Sequence, residues 1–384
     1  MEPTHYEGKA RGTVNTQYYR VMAQIDCEAL SQNIKAIRKA LNPGTQLMAV
    51  VKADGYGHGL REIYPTLEKS GIDQLAVAVL EEGISLRRMG SPLPVLILGY
   101  TAPSDYGTVI AEGLTQTIFT SSMAKAMSDA AVSMQRAAKV HIKLDTGMGR
   151  IGFACTESAL DEIHAISQLP GLQLEGIFTH FARADERDKS ATRQQYKRFQ
   201  WMCDELEKRG VTFPVRHVSN SAAIMELPDM NCNMVRAGII LYGLYPSDEM
   251  RRETLALRPV MTFKSHVIFC KEVPDGSPIS YGGTYVAEGT RRIGTIPVGY
   301  ADGYSRRLSG IGHVLIRGHL VPIAGRICMD QFMVDLTSFP DIQEGDEAIL
   351  FGEGLSVDEL ARLIGTINYE MVCMVSKRVP RIIK

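Results

Sequence analysis

The chain has 384 residues, more than one ordinary compact domain and enough for two. With 45% hydrophobic and 22% charged residues and a formal net charge of −1, it has no global positive field to recruit nucleic acid or an anionic membrane. No apolar run reaches the roughly 20 residues of a transmembrane helix, and seven scattered cysteines without a CxxC pair or zinc-spaced histidines argue for reduced thiols in a cytoplasm, against a disulfide framework and against structural zinc.

Residues 1–19 read as a polar tail without the apolar stretch of a secretory signal. Asp26 and Ser31 precede or open the amphipathic LSQNIKAIRKAL, a capped helix. Eight short apolar runs follow: 48–52, 74–79, 95–99, 116–120, 140–145, 174–180, 215–220 and 234–242. They are near-continuously apolar, as strands buried on both faces are. Between them the spacing predicts helices over 80–90, 121–137, 156–169 and 189–210. Eight strand-then-helix units ending near residue 255 fit an α/β fold of the (β/α)8 TIM type. A doubly wound open sheet is the alternative. From 256 to 384 the texture becomes strand-like, broken by Gly, Pro and Asp turns, and only SVDELARLIGTI reads as a helix. The expected division is therefore a barrel over 20–255 and a mostly-β C-terminal domain over 256–384.

In such a barrel, chemistry sits at the carboxyl ends of the strands. There the sequence places Lys52, Asp145, His180, Asn220 and Ser221, and Arg236 with Tyr242 beyond it. A lysine closing an apolar strand either snorkels to water or is desolvated for reaction, and a desolvated lysine suits imine formation with an aldehyde cofactor. Three glycines follow Lys52 in AVVKADGYGHG, so the backbone can turn tightly and let a ligand approach. Gly147, Gly149 and Gly152 spell GxGxxG after the fifth strand, a weak dinucleotide signal by itself, and no Walker pattern is present.

AVVKADGYGHG (49–59) resembles the cofactor-lysine motif of alanine racemases, and the likeness continues in order through KLDTGMGRIGF, FTHFARADE, HVSNSAA, MVRAGIILYG, SYGGTY, TIPVGYADG, GRICMDQ and INYEMV. The resemblance runs from about residue 20 to the end. It implies a barrel that binds pyridoxal 5′-phosphate, a β-rich second domain that packs with the first strand (about 20–26), and two-base interconversion of L- and D-alanine for bacterial peptidoglycan. It also implies a cytoplasmic homodimer whose active sites are shared. Lys52 then holds the cofactor and is one base; Tyr281, from the partner subunit, is the other.

His180 and Arg236 match positions that connect the cofactor ring and this tyrosine. An arginine facing the ring nitrogen donates a hydrogen bond but no proton, so the ring remains a weaker electron sink. Ser221, the main chain at Gly238 and Ile239, and Tyr56 with Tyr369 match the phosphate site. Arg150 and the backbone at Met329 match the substrate-carboxylate site. Lys143 matches a position that can be N-carboxylated, which would turn a cation that repels Arg150 into an anion that orients it. A serine or broad-specificity racemase of the same fold is the nearest alternative; a decarboxylase with a similar barrel, or a cofactor-binding protein without catalysis, lies further off.

Overall fold

The computed structural model describes residues 19–384, so the expected N-terminal tail lies, but for its last residue, outside the described residues. Strand β1 (Met22–Ile25) leads into the helix Cys27–Ala40, whose first turn is closed by the Asp26 carboxylate accepting from Ala29 N. The barrel strands are β2 (Gln46–Val50), β3 (Gln74–Val77), β4 (Val95–Ile97), β5 (Thr115–Ile118) and β6 (Ala138–Asp145). A two-residue strand, β7 (Phe153–Ala154), hangs on the end of β6; β8 (Leu172–Phe178), β9 (Val215–His217) and β10 (Met234–Ala237) complete the set. β10 pairs with β2 and β5 pairs with β6, so the eight parallel strands β2–β6 and β8–β10 close on themselves. Closure leaves no open sheet edge, and this excludes the doubly wound alternative.

Each of the eight apolar runs contains a strand, but several strands stop sooner than apolarity suggested. The first ends at Val50, not Lys52; the sixth at Phe178, not His180; the eighth at Ala237, not Tyr242. After Ala237 the chain turns at Gly238 into a 3-10 helix, Ile239–Tyr242, that is fully buried. Apolar character reports burial, and at the barrel mouth buried backbone leaves the sheet without leaving the core. The expected helices are present as Leu80–Arg88, Ser121–Ser133, Glu157–Ser167 and Ser190–Lys208. The helix Leu60–Lys69 has Pro65 within it and was not anticipated.

All but two of the C-terminal strands, mostly antiparallel, form one nine-stranded sheet that also takes in β1; Pro278–Ile279 and Tyr285–Val286 pair apart from it. β1 lies between Met261–His266, antiparallel, and Arg381–Ile383, parallel. This domain has a second helix besides Val357–Leu363, namely Asn368–Met374, correcting the expectation of one. Asn368–Met374 carries Tyr369 to the mouth of the barrel, so the two domains share one cavity wall. Among the described residues, no helix is long and apolar enough to cross a membrane, and all seven cysteines are free thiols.

Candidate active site

A cavity of about 780 Å³ opens at the carboxyl ends of the barrel strands. Lys52, Tyr56, Lys143, Arg150, His180, Ser221, Arg236, Gly238, Ile239 and Tyr369, ten of the twelve residues expected to serve the site, line it. Tyr281 and Met329 do not. Both belong to the C-terminal domain, where Tyr281 is 70% and Met329 52% exposed.

Lys52 opens a turn in which Ala53, Asp54, Gly55, Tyr56 and Gly57 all have positive φ, between 53° and 78°. Three of these are not glycine, and left-handed backbone costs such residues about 1–2 kcal/mol each. Neighbouring side chains hold the turn in place. Glu82 accepts from Ala53 N (2.6 Å) and Ala78 N (2.8 Å), and Asp54 accepts from Leu60 N (2.7 Å). From the C-terminal sheet, Arg381 donates twice to Gly57 O, at 3.0 and 2.8 Å. The turn aims Lys52 and Tyr56 into one cavity. Burial, and then Arg150, hold the Lys52 amine below its ordinary pKa.

Arg236 is buried at the centre of the floor. Its Nη1 donates to His217 Nδ1 (2.9 Å) and His217 O; its Nη2 donates to Thr179 O (2.9 Å), Val218 O and His180 Nδ1 (3.2 Å). No carboxylate is among these partners, and burial pushes the guanidinium down to about 10. His180 lies well below the usual histidine range, because it is buried and because Arg236, Arg150, Lys143 and Lys52 all repel a second proton. It is neutral, and since Nδ1 accepts from Arg236 its proton sits on Nε2.

Lys143, on β6, donates to Leu144 O (2.5 Å) and Ile151 O (3.3 Å) and is pushed down to about 8 by burial and then by Arg236. Arg150 follows the loop in which Asp145 Oδ1 accepts from Gly147, Met148 and Gly149 N. Gly147 and Gly149 of the GxGxxG serve that Asx turn, and Gly152 packs against the Leu144–Asp145 main chain, where a Cβ would lie 2.5 Å from Asp145 N. At the ends of β9 and β10, Gly238 N donates to Ser221 Oγ (3.0 Å), and a Cβ on Gly238 would lie 2.8 Å from Tyr56 Oη. The Tyr56 and Tyr369 rings stand 6.1 Å apart. A phosphate fits this cradle of three hydroxyls, from Ser221, Tyr56 and Tyr369, and open main chain, and a carboxylate fits beside Arg150.

Glu82, His217, His141 and Arg381 support the site without having been singled out in the sequence. His217 and His141 interrupt apolar strands, the one signal that could have found them. Glu82 and Arg381 look like ordinary surface charges until the fold is known.

The closed parallel barrel, the strained lysine turn, the hydroxyl cradle and the docked β domain are those of a two-domain barrel enzyme. Family models described as the alanine racemase N-terminal and C-terminal domains match residues 25–246 and 260–383. An alanine racemase of Clostridium tetani is 47% identical over 94% of this chain and 95% of its own length, and one of Desulforamulus reducens is 48% identical over 94% and 98%. The solved alanine racemase of Clostridium difficile 630 superposes with a TM-score of 0.93 at 45% identity, covering 95% of each chain. The chain belongs to the alanine racemase family.

Proposed function

We propose that this protein interconverts L- and D-alanine, using pyridoxal 5′-phosphate held by Lys52, as a homodimer that completes each site with Tyr281 of the partner. The observation that carries the reading is a cluster of cations in the cavity's lining, which also holds Asp185, Asp248, Asp358 and Glu370. Lys52, Lys143, Arg150 and Arg236 converge beside a hydroxyl cradle, and a phosphate together with a substrate carboxylate supplies the anions they call for. The family membership supports the same reading, and supply of D-alanine for bacterial peptidoglycan in the cytoplasm is the role we propose for it.

The residues present fit the cofactor. Ser221, Tyr56, Tyr369 and the main chain at Gly238 and Ile239 would hold its phosphate, Arg236 its ring nitrogen and Lys52 its aldehyde carbon. When bound, the cofactor draws electron density from the amino acid and acidifies the Cα proton. Lys52, whose amine burial already keeps from protonating readily, takes or returns that proton on one face. Tyr281 serves the opposite face. Two fixed bases avoid rotating the substrate between half-reactions. A phenol near pKa 10 needs help to act as a base. His180, neutral and protonated on Nε2, provides a donor toward the cavity, and Arg236 behind it keeps that tautomer.

Arg150, with the backbone at Met329 of the partner subunit, would hold the substrate carboxylate. Tyr369 and Tyr281 crowd the substrate side chain, favouring alanine over serine by about 1–3 kcal/mol, the usual worth of one small group.

The test is α-proton exchange of L- and D-alanine in deuterated buffer. Tyr281→Phe should lose exchange from L-alanine selectively, and Lys52→Ala should fail to bind the cofactor covalently. If the unaltered protein exchanges neither enantiomer, or Tyr281→Phe behaves like it, the two-base reading fails.

A further inference from the structure

Behind Arg236, away from the cavity, lie two buried histidines that the mechanism above does not use. Arginine only donates, so His217 Nδ1, 2.9 Å from Arg236 Nη1, must present a lone pair. A neutral His217 therefore carries its proton on Nε2. That nitrogen is 2.9 Å from His141 Nδ1, which must in turn accept, leaving the His141 proton on Nε2. His141 Nε2 is buried and has no partner among the described residues. Leaving a buried donor unpaired costs about 1–3 kcal/mol, so ordinary stability does not explain why the second imidazole is there.

The surroundings are shaped to admit it. A Cβ on Gly176 would lie 2.6–2.8 Å from three atoms of the His141 ring, and here the glycine provides volume. Phe178 stacks on His217 with centroids 4.6 Å apart and planes within 7°, fixing the plane in which its lone pair points. Both imidazoles are held in the neutral form by burial first and by the Arg236 charge second.

We propose that His217 and His141 are a positioning pair for Arg236: the guanidinium dictates the Nε2–H tautomer of His217, and His141, accepting that proton at 2.9 Å, anchors the ring so that its lone pair stays aimed at Nη1. With no carboxylate to orient it, Arg236 is held only by three carbonyls and two imidazole lone pairs. Nη1 and Nη2 are thereby committed to the protein, and Nε carries the remaining N–H of a group that lines the cavity. If His217 took the other tautomer, N–H would face N–H, and the guanidinium would lose a charge-assisted bond and its register. This inference rests on the functional reading for its consequence, but not for its geometry.

The experiment is ¹⁵N-histidine NMR on the cofactor-loaded protein near neutral pH, with kinetics of His141→Phe. Expected in the unaltered protein are Nε2–H tautomers for both His217 and His141. Expected in His141→Phe are a His217 that keeps its Nε2–H tautomer but whose Nε2 signal shifts on losing its acceptor, and a kcat for alanine lowered about tenfold with KM nearly unchanged, the size of one charge-assisted hydrogen bond. A proton on His141 Nδ1 in the unaltered protein, or a kcat in His141→Phe equal to that of the unaltered protein, overturns the proposal. Should that variant not fold, the tautomers of the unaltered protein decide. A protein that does not racemise alanine yet shows both Nε2–H tautomers overturns the functional reading alone.

Discussion

Lys143 shows how burial prepares a single side chain for chemistry. Its pKa is pushed down to about 8 from 10.5, so an appreciable share of the amine is neutral near physiological pH and open to attack on carbon dioxide. The shift also ties stability to pH. Below about 8 the folded and unfolded chains both hold the proton; between about 8 and 10.5 only the unfolded chain does, so stability rises with pH across that window. N-carboxylation removes this titration and places an anion beside Arg150. In carbon-dioxide-free buffer, calorimetry should therefore show Tm rising across that window more steeply in the unaltered protein than in Lys143→Met. Bicarbonate should remove the difference. Equal slopes without bicarbonate would mean the lysine is not the titrating group. Lys52 was legible as a residue of interest, since a lysine closing an apolar run needs a reason; Lys143 stood out only through the family resemblance. Which one meets Arg236 and which meets Tyr56 was not legible, because strand periodicity does not tell which neighbours a side chain meets across a barrel.

Among the elements, the turn Lys52–Gly57 is the most constrained. The sequence shows glycines there, but glycine content does not reveal that Ala53, Asp54 and Tyr56 share the left-handed conformation. That conformation depends on Glu82 from the next strand–helix unit and on Arg381 from the far end of the chain. Gly57 (φ 78°) is the position where the turn meets the second domain, and a Cβ there would lie 2.2 Å from Val372 O. Gly57→Ala should cost about 2–4 kcal/mol in urea unfolding and weaken cofactor binding, from left-handed strain plus a clash with main chain. Gly71 (φ 74°) has nothing within 4 Å, so Gly71→Ala should cost only the strain, about 1 kcal/mol, and leave cofactor binding unchanged. Equal losses in the two variants would show that the docking of Val372 on the turn is unimportant.

At the scale of the whole molecule, the proposed function has one chain build most of a site but not all of it. Tyr281 and Met329 stand exposed on the C-terminal domain, outside the cavity lined by their own chain. Val79, Tyr100 and Ile367 are exposed as well; the first two lie just past β3 and β4, at the end of the barrel where the cavity opens, and Ile367 lines the cavity. Two apolar surfaces, one bearing the missing tyrosine and one around the cavity, suit a two-fold dimer in which each fills the other. Mixing Lys52→Ala with Tyr281→Phe, each inactive alone, should then restore about a quarter of the sites, since half of the randomly assorted dimers carry one intact pair. No restoration after verified subunit exchange would rule out shared sites.

The sequence by itself determined the eight buried strands and the β-rich second half, because burial on both faces and turn chemistry are local properties that a linear chain displays; closure into a barrel was decided by the tertiary structure. The sequence also determined the types of group at the strand ends, since a charge within an apolar run is visible without coordinates. Tertiary structure alone decided where those strands stop, since apolarity does not distinguish buried sheet from buried turn. It alone brought Glu82, His141, His217 and Arg381 to the site, because each acts through a hydrogen bond to a residue at least 19 positions away. Such pairings depend on how the barrel closes and how the second domain docks on it, and no local pattern encodes them.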